Sequence, residues 1–377
     1  MHPALKLSLP LLFGIAANSH TCFADSLLAM SGPLVANSDP FAFDAGAFGK
    51  FQIDGAVSGL AFLQDNSLPA DRHSVLDLDN GEIFVQSSGS WLQLFAALGT
   101  YSFPSLGTAY LDTSRTSRST YSYAPEAIAK ILLPDGLSVE AGKLPSLIGD
   151  ESVFTIENID LERGLLWNQT PTISRGVQLN YASGPLSLSL SWNDGFYSNR
   201  FNWIAGSAAF ALAGNAGMIT LIGGANLGHT AYSDFATPLA QNNSAIVDLA
   251  YSAVLGSWTI NPYLQFAEIP KDGAAELSGH RRTEGAAMLL IRKLNDDWSL
   301  GARCEYLASE GDINLLYGVG SSSWSLTLTP TYQKGVLFAR AEASYVALFH
   351  GQAGSEFGRK ADSNSQARLM FETGILF

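Results

Sequence analysis

The last eleven residues, Ala367 to Phe377 (ARLMFETGILF), alternate in character with a period of two. One face reads Leu369, Phe371, Thr373, Ile375, Phe377; the other reads Arg368, Met370, Glu372, Gly374, Leu376. Successive side chains of a strand point to opposite sides, so this is a strand with two unlike faces. A surface strand of a soluble sandwich alternates in the same way. Context separates the two readings: the segment ends on an aromatic, many similar segments precede it, and the chain opens on a secretory leader. Together these predict the closing strand of a bacterial outer-membrane β-barrel, apolar toward lipid and polar toward the lumen.

The leader reads MHPALKLSLPLLFGIAANSHTCFA, with Lys6, an apolar core from Leu7 to Ala17, and small residues before Asp25. It predicts a cleaved signal peptide over residues 1–24. Acylation at Cys22 is the weaker alternative, because Ser-His-Thr precedes it. Loss of Lys6 takes the net charge from −13 to −14, an acidic balance that argues against nucleic-acid binding. Cys304 is then the only cysteine, so no intramolecular disulfide can form. Residues 25–46 are expected as an N-terminal segment on the periplasmic side, and 47–377 as the barrel.

With 36 glycines and only 15% charged residues, the chain suits a barrel better than a large soluble core. Alternating segments recur from Phe48 onward. Tight connections (Ser88-Gly89-Ser90, Pro134-Asp135-Gly136, Ser183-Gly184-Pro185) separate pairs of strands, and long links (100–122, 144–171, 348–364) join the pairs. Short turns on one side and long loops on the other are the asymmetry of an outer-membrane barrel. The uncharged run Phe201–Gly228 is long enough for a membrane helix. Its six glycines and three asparagines favour two strands around Gly214-Asn215-Ala216-Gly217 instead. Counting Ile313–Val319 as a strand would put the chain ends on opposite sides. Treating 309–322 as one loop gives sixteen strands, with fourteen or eighteen as the alternatives.

The inward faces divide into two kinds. Gly176, Gln178, Asn180, the serines of 186–193, and Ala205, Ser207, Ala209, Ala211 and Ala213 make one wall small and uncharged. The other carries Arg303 with Glu305, Arg340 with Glu342, and Arg368 with Glu372, joined by Lys50 and Asp54 of the first strand. This row is either a self-neutralising wall or part of a selectivity device, and both require water inside the barrel. Link 144–171 carries Asp150, Glu151, Glu157, Asp160 and Glu162 against Arg163, among many apolar residues. Such a loop needs something to pack against. It is expected to fold inward, with its carboxylates facing Arg303, Arg340, Arg368 and Lys50 across the remaining opening, and to favour cations. The alternative is that it lies over the rim against a neighbouring barrel.

Catalytic chemistry has little to stand on. His73, His229, His280 and His350 all fall in expected loops outside any motif, and there is no Cys/His cluster or phosphate-binding loop. Cys304 shares the lipid face of its strand with Trp298, Leu300, Ala302 and Tyr306. Trp91, Trp192, Trp258, Trp298 and Trp324 sit where interfacial girdles form. Phe377 is expected to act in assembly, anchoring the strand that seals the barrel.

The stretch GKLPSLIGDESVFTIENIDLERGLLW (142–167), followed by ISRGVQLNYA (173–182), resembles the OmpL-like β-barrel porins. Further matches are Leu190-Ser191-Trp192-Asn193-Asp194-Gly195, Glu305-Tyr306, LTPTYQ (328–333) and FARAEASYV (338–346), where Ala-Ser-Tyr-Val replaces a more acidic ending. The resemblance implies an outer-membrane pore for small solutes. The reading is therefore a sixteen-stranded all-β transmembrane porin for passive diffusion of small hydrophilic solutes or ions, with no catalysis and no cofactor. Its partners would be lipid, lipopolysaccharide and two further copies of itself. A barrel enzyme and a surface adhesin or receptor are the rival readings.

Overall fold

The computed structural model describes residues 32–311 and 317–377. The expected leader, residues 25–31 and Ile313 lie outside the described residues. A short strand β1 (Phe41–Asp44) precedes β2 (Lys50–Gln64), β3 (Ser74–Ser88), β4 (Leu92–Tyr101), β5 (Glu126–Leu132) and β6 (Leu137–Pro145). Then come β7 (Ile173–Ser183), β8 (Leu186–Asn193), β9 (Trp203–Ala211), β10 (Met218–Asn226), β11 (Ala245–Leu255) and β12 (Trp258–Ile269). The series ends with β13 (Arg281–Lys293), β14 (Trp298–Gly311), β15 (Ser322–Lys334), β16 (Leu337–Phe349) and β17 (Ser365–Leu376).

Each strand from β2 onward pairs antiparallel with the next, and β17 returns to β2 from Arg368↔Gln64 to Leu376↔Ala56. β1 pairs with the first residues of β2, below the seam, so sixteen strands close the barrel. Closure leaves no unpaired edge, which is what a sheet in lipid requires. Phe377 extends the seam by exchanging backbone hydrogen bonds with Gly55 at 2.8 and 2.9 Å. Its ring lies over Gly55, where a Cβ would sit 2.3 Å from Phe377 Cζ.

Alternation sorts side chains as the sequence predicts. On β15, Leu326 and Leu328 are exposed outside while Ser325, Thr327 and Thr329 are buried inside. Trp91, Trp192, Trp258, Trp298 and Cys304 also face outward and are exposed. The run Phe201–Gly228 forms the hairpin of β9 and β10, with Gly214 left-handed in its turn (φ 69°). Among the described residues no helix is long and apolar enough to cross a membrane.

One strand departs from expectation. β3 begins at Ser74, and its register against β2 shifts between Ser58 and Gly59. The extra residue, Asp79, breaks the period-two pattern that marks a strand in sequence. It also lets Asp79 and Asn80 both be fully buried on the inner side.

Candidate functional site

The third long connection, residues 146–172, lies inside the barrel. Leu147, Ile148, Val153, Phe154, Ile156, Ile159, Leu161, Leu165 and Leu166 are each at most 6% exposed. They meet different sectors of the wall. Leu147 and Ile148 join Trp203, Ala205, Ile222 and Ile246, so the small-residue wall receives the start of the loop. Ile159, Leu165 and Leu166 join Ala287, Leu289 and Leu307, while Leu161 joins Leu60, Phe62 and Met370. Phe154 and Ile156 pack with Phe84, Ala97 and Tyr101. Three wall glycines make room for this. A Cβ on Gly224 would lie 2.6 Å from Ile148, on Gly285 2.8 Å from Leu166, and on Gly301 2.8 Å from Ile159.

The loop has almost no regular structure, so its backbone groups need partners from elsewhere. The wall supplies them. Arg340 donates to the carbonyls of Thr155, Asn158 and Ile159 at 2.9, 2.8 and 2.7 Å. Glu305 accepts from the amides of Leu165 (3.0 Å) and Leu166 (3.2 Å), and Glu342 from those of Leu161 and Glu162. Asp248, on β11, accepts from Gly149 at 2.9 Å. Arg163 turns back on its own loop, donating to the carbonyls of Ser152, Leu161 and Val153.

Side-chain charges close the remaining gaps. Arg303 contacts Glu151 at 2.6 Å, Glu305 at 3.2 Å and Asp160 at 3.6 Å. Arg368 pairs with Glu162 and also donates to Gln64. Arg340 lies 3.7 Å from Glu372. These groups are all at most 3% exposed at the side chain. The bulged pair adds a contact that the sequence did not suggest: Thr155 Oγ1 donates to Asp79 at 2.8 Å and accepts from Asn80 at 2.6 Å.

The carboxylates thus touch the arginines directly, and no opening separates them as the sequence reading expected. The reason is the loop backbone, whose unpaired groups draw the wall charges inward. Lys50 takes no part; it stays exposed at the short-turn end, and Asp54 lies buried on β2. Asp150 turns away toward Asn261 on β12. Glu157, on the single turn Thr155–Glu157, is half-buried, and burial pushes its carboxyl up to about 7.

The sector from β5 to β9 differs. There a cavity of about 170 Å³ is lined by Lys130, Ser138, Asn180, Ser187, Ser189 and Ser207. Lys130 is held by Glu140 at 3.1 Å. Among the described residues no group of three or more His, Cys, Asp or Glu side chains is arranged to hold a metal.

Comparison with known proteins agrees with this architecture. The chain is similar to the trimer form of OmpT, an outer membrane protein of Vibrio cholerae (12% identity, 87% of this chain and 99% of that one, TM-score 0.57). It is similar to the anion-selective porin of Comamonas acidovorans (9% identity, 87% and 99% covered, TM-score 0.60). A third likeness is the outer membrane channel DcaP of Acinetobacter baumannii (11% identity, 89% and 99% covered, TM-score 0.56). No curated protein matches in sequence. At these identities the likenesses establish the fold. The family model described as "Putative beta-barrel porin-2, OmpL-like" matches residues 50–377. The chain belongs to that family and is a porin-type channel of the outer membrane.

Proposed function

We propose that this channel carries small hydrophilic solutes and ions passively, past the inward loop and along the wall from β5 to β9. The observation that carries the reading is the division of the lumen. The loop is fastened to β14–β17, while the opposite sector keeps small polar side chains beside a cavity. Transport needs no reacting group, and His73, His229 and His350 are scattered over separate connections, with His280 bound to Glu268 at 2.8 Å. The short turns and both strand ends at the seam would face the periplasm, and the loops the outside, as in other barrels of this kind.

Selectivity follows from which charges remain. Arg303, Arg340 and Arg368 are taken up by the loop, and the chain as a whole is acidic, at −13. A mild cation preference results. The trimer form of the Vibrio relative also supports a trimer for this chain, with the exposed apolar outer faces against lipid or neighbouring copies. Purified protein in a planar bilayer should give discrete, steady conductance steps, and in a salt gradient a reversal potential on the cation side. A barrel that inserts without conducting would refute the channel reading.

A further inference from the structure

Upstream of β1 the chain does not stay outside the barrel. From Phe41, beside the lower end of β2, it runs back toward the lumen. Val35 is 60% exposed at the short-turn end, where Gln333 of β15 grips its backbone. The Val35 amide donates to Gln333 Oε1 at 2.8 Å, and Gln333 Nε2 donates to the Val35 carbonyl at 2.7 Å. One residue further in, Leu34 is only 2% exposed and belongs to the cluster of inward residues that includes Ala56, Phe338 and Leu376. Gly32 then abuts the inward loop itself. A Cβ at Gly32 would lie 2.5 Å from the carbonyl oxygen of Asn158, the same oxygen that accepts from Arg340.

We propose that Gly32–Val35 is a second constriction element, entering from the short-turn end and setting, with the inward loop, the size limit of the pore. Three features support it. The Gln333 side chain satisfies both backbone groups of one residue, a pairing that fixes the chain's direction at the rim. Leu34 then places an apolar side chain where a wet mouth would expose it at a cost. Gly32 permits the close backbone approach that any larger residue would forbid. The segment occupies cross-section, so solutes must pass beside it, along the sector from β5 to β9. This inference rests on the channel reading above.

The test uses the full chain in two forms. Leu34→Ser with Gln333→Ala removes the apolar anchor and the backbone grip. Heat-modifiable mobility on gels checks that the barrel still folds. Single-channel conductance should rise roughly twofold, since conduction through a narrow pore follows its open section. In liposome swelling the variant should admit larger uncharged sugars than the wild type. The second form, Val35→Cys with Cys304→Ala, leaves both anchors in place. A bulky charged thiol reagent at that exposed position should lower conductance, because it would sit at the mouth. If release or modification leaves conductance and sugar limit unchanged in a conducting channel, the segment is not a constriction, and the channel reading survives. If no form conducts, the released one included, the channel reading itself falls and takes the constriction with it.

Discussion

The wall of β14–β17 and the wall of β7–β9 face the same lumen with opposite chemistry. The first presents Arg303, Glu305, Arg340, Glu342, Arg368 and Glu372; the second presents Gln178, Asn180, Ser189, Ser191 and Ser207. In sequence the charged row looks like the part that meets the solute. In the structure it meets the protein. Its guanidinium and carboxylate groups satisfy the carbonyls and amides of a loop that lacks its own hydrogen-bond ladder. A buried ion pair adds little over well-packed apolar residues. An apolar side chain, however, cannot satisfy a stray backbone carbonyl. The charged row is a fastening, and of the plain wall the end near the short turns, beside the cavity, is left for what passes through.

Breaking the fastening should have the largest effect. Arg303→Ala leaves Glu151, Asp160 and Glu305 buried around a missing cation, which should cost about 3–5 kcal/mol. Equilibrium unfolding in detergent would read that loss. Planar bilayers should show larger, noisier conductance as the loop works free. Arg303→Lys should rescue only partly, since one ammonium cannot reproduce the several directed contacts of a guanidinium.

The plain wall predicts the reverse pattern. Ser207→Trp should narrow the passage and cut conductance by roughly half while changing stability by under about 1 kcal/mol. A large loss of stability with unchanged conductance would erase the distinction between the two walls.

The smallest effect concerns pH. Burial pushes the Glu157 carboxyl up to about 7, above its ordinary 4.5. The group is therefore neutral in acid and charged in mild alkali. Cation preference, read as reversal potential, should strengthen as pH rises through about 7, and Glu157→Gln should flatten that slope. The sign for stability is opposite. The folded state holds this proton more tightly than the unfolded chain, so the favourable contribution present in acid is lost over the same rise.

Much of the barrel could be read directly, because lipid on one side and water on the other impose a period of two. Leu186–Asn193, Met218–Asn226 and Ala245–Leu255 have the bounds that alternation alone suggests. The start of β3 was hidden for the same reason, since the bulge at Asp79 interrupts that period. The apolar content of 144–171 pointed to a packed loop, yet not to its partners. Arg340 bonds to carbonyl oxygens, which every residue carries and no sequence marks. Asp79, Asn80 and Thr155 leave only a faint mark in the sequence, two adjacent polar residues within an alternating strand. Leu34 gave none; an apolar residue before a short strand is unremarkable until its surroundings are known.

The glycines beneath the loop carry a consequence for how such a chain can vary over generations. Gly301 and Ile159, like Gly285 and Leu166, fit as a hollow and its filling, though each pair is drawn from distant parts of the chain. A side chain added to the hollow is tolerable only if the filling shrinks in step. Neither change is innocuous alone, so drift at these positions must proceed through paired replacements or stop. Among descendants of this gene, the hollow and its filling should therefore be inherited as units, while the serines of the opposite wall exchange freely.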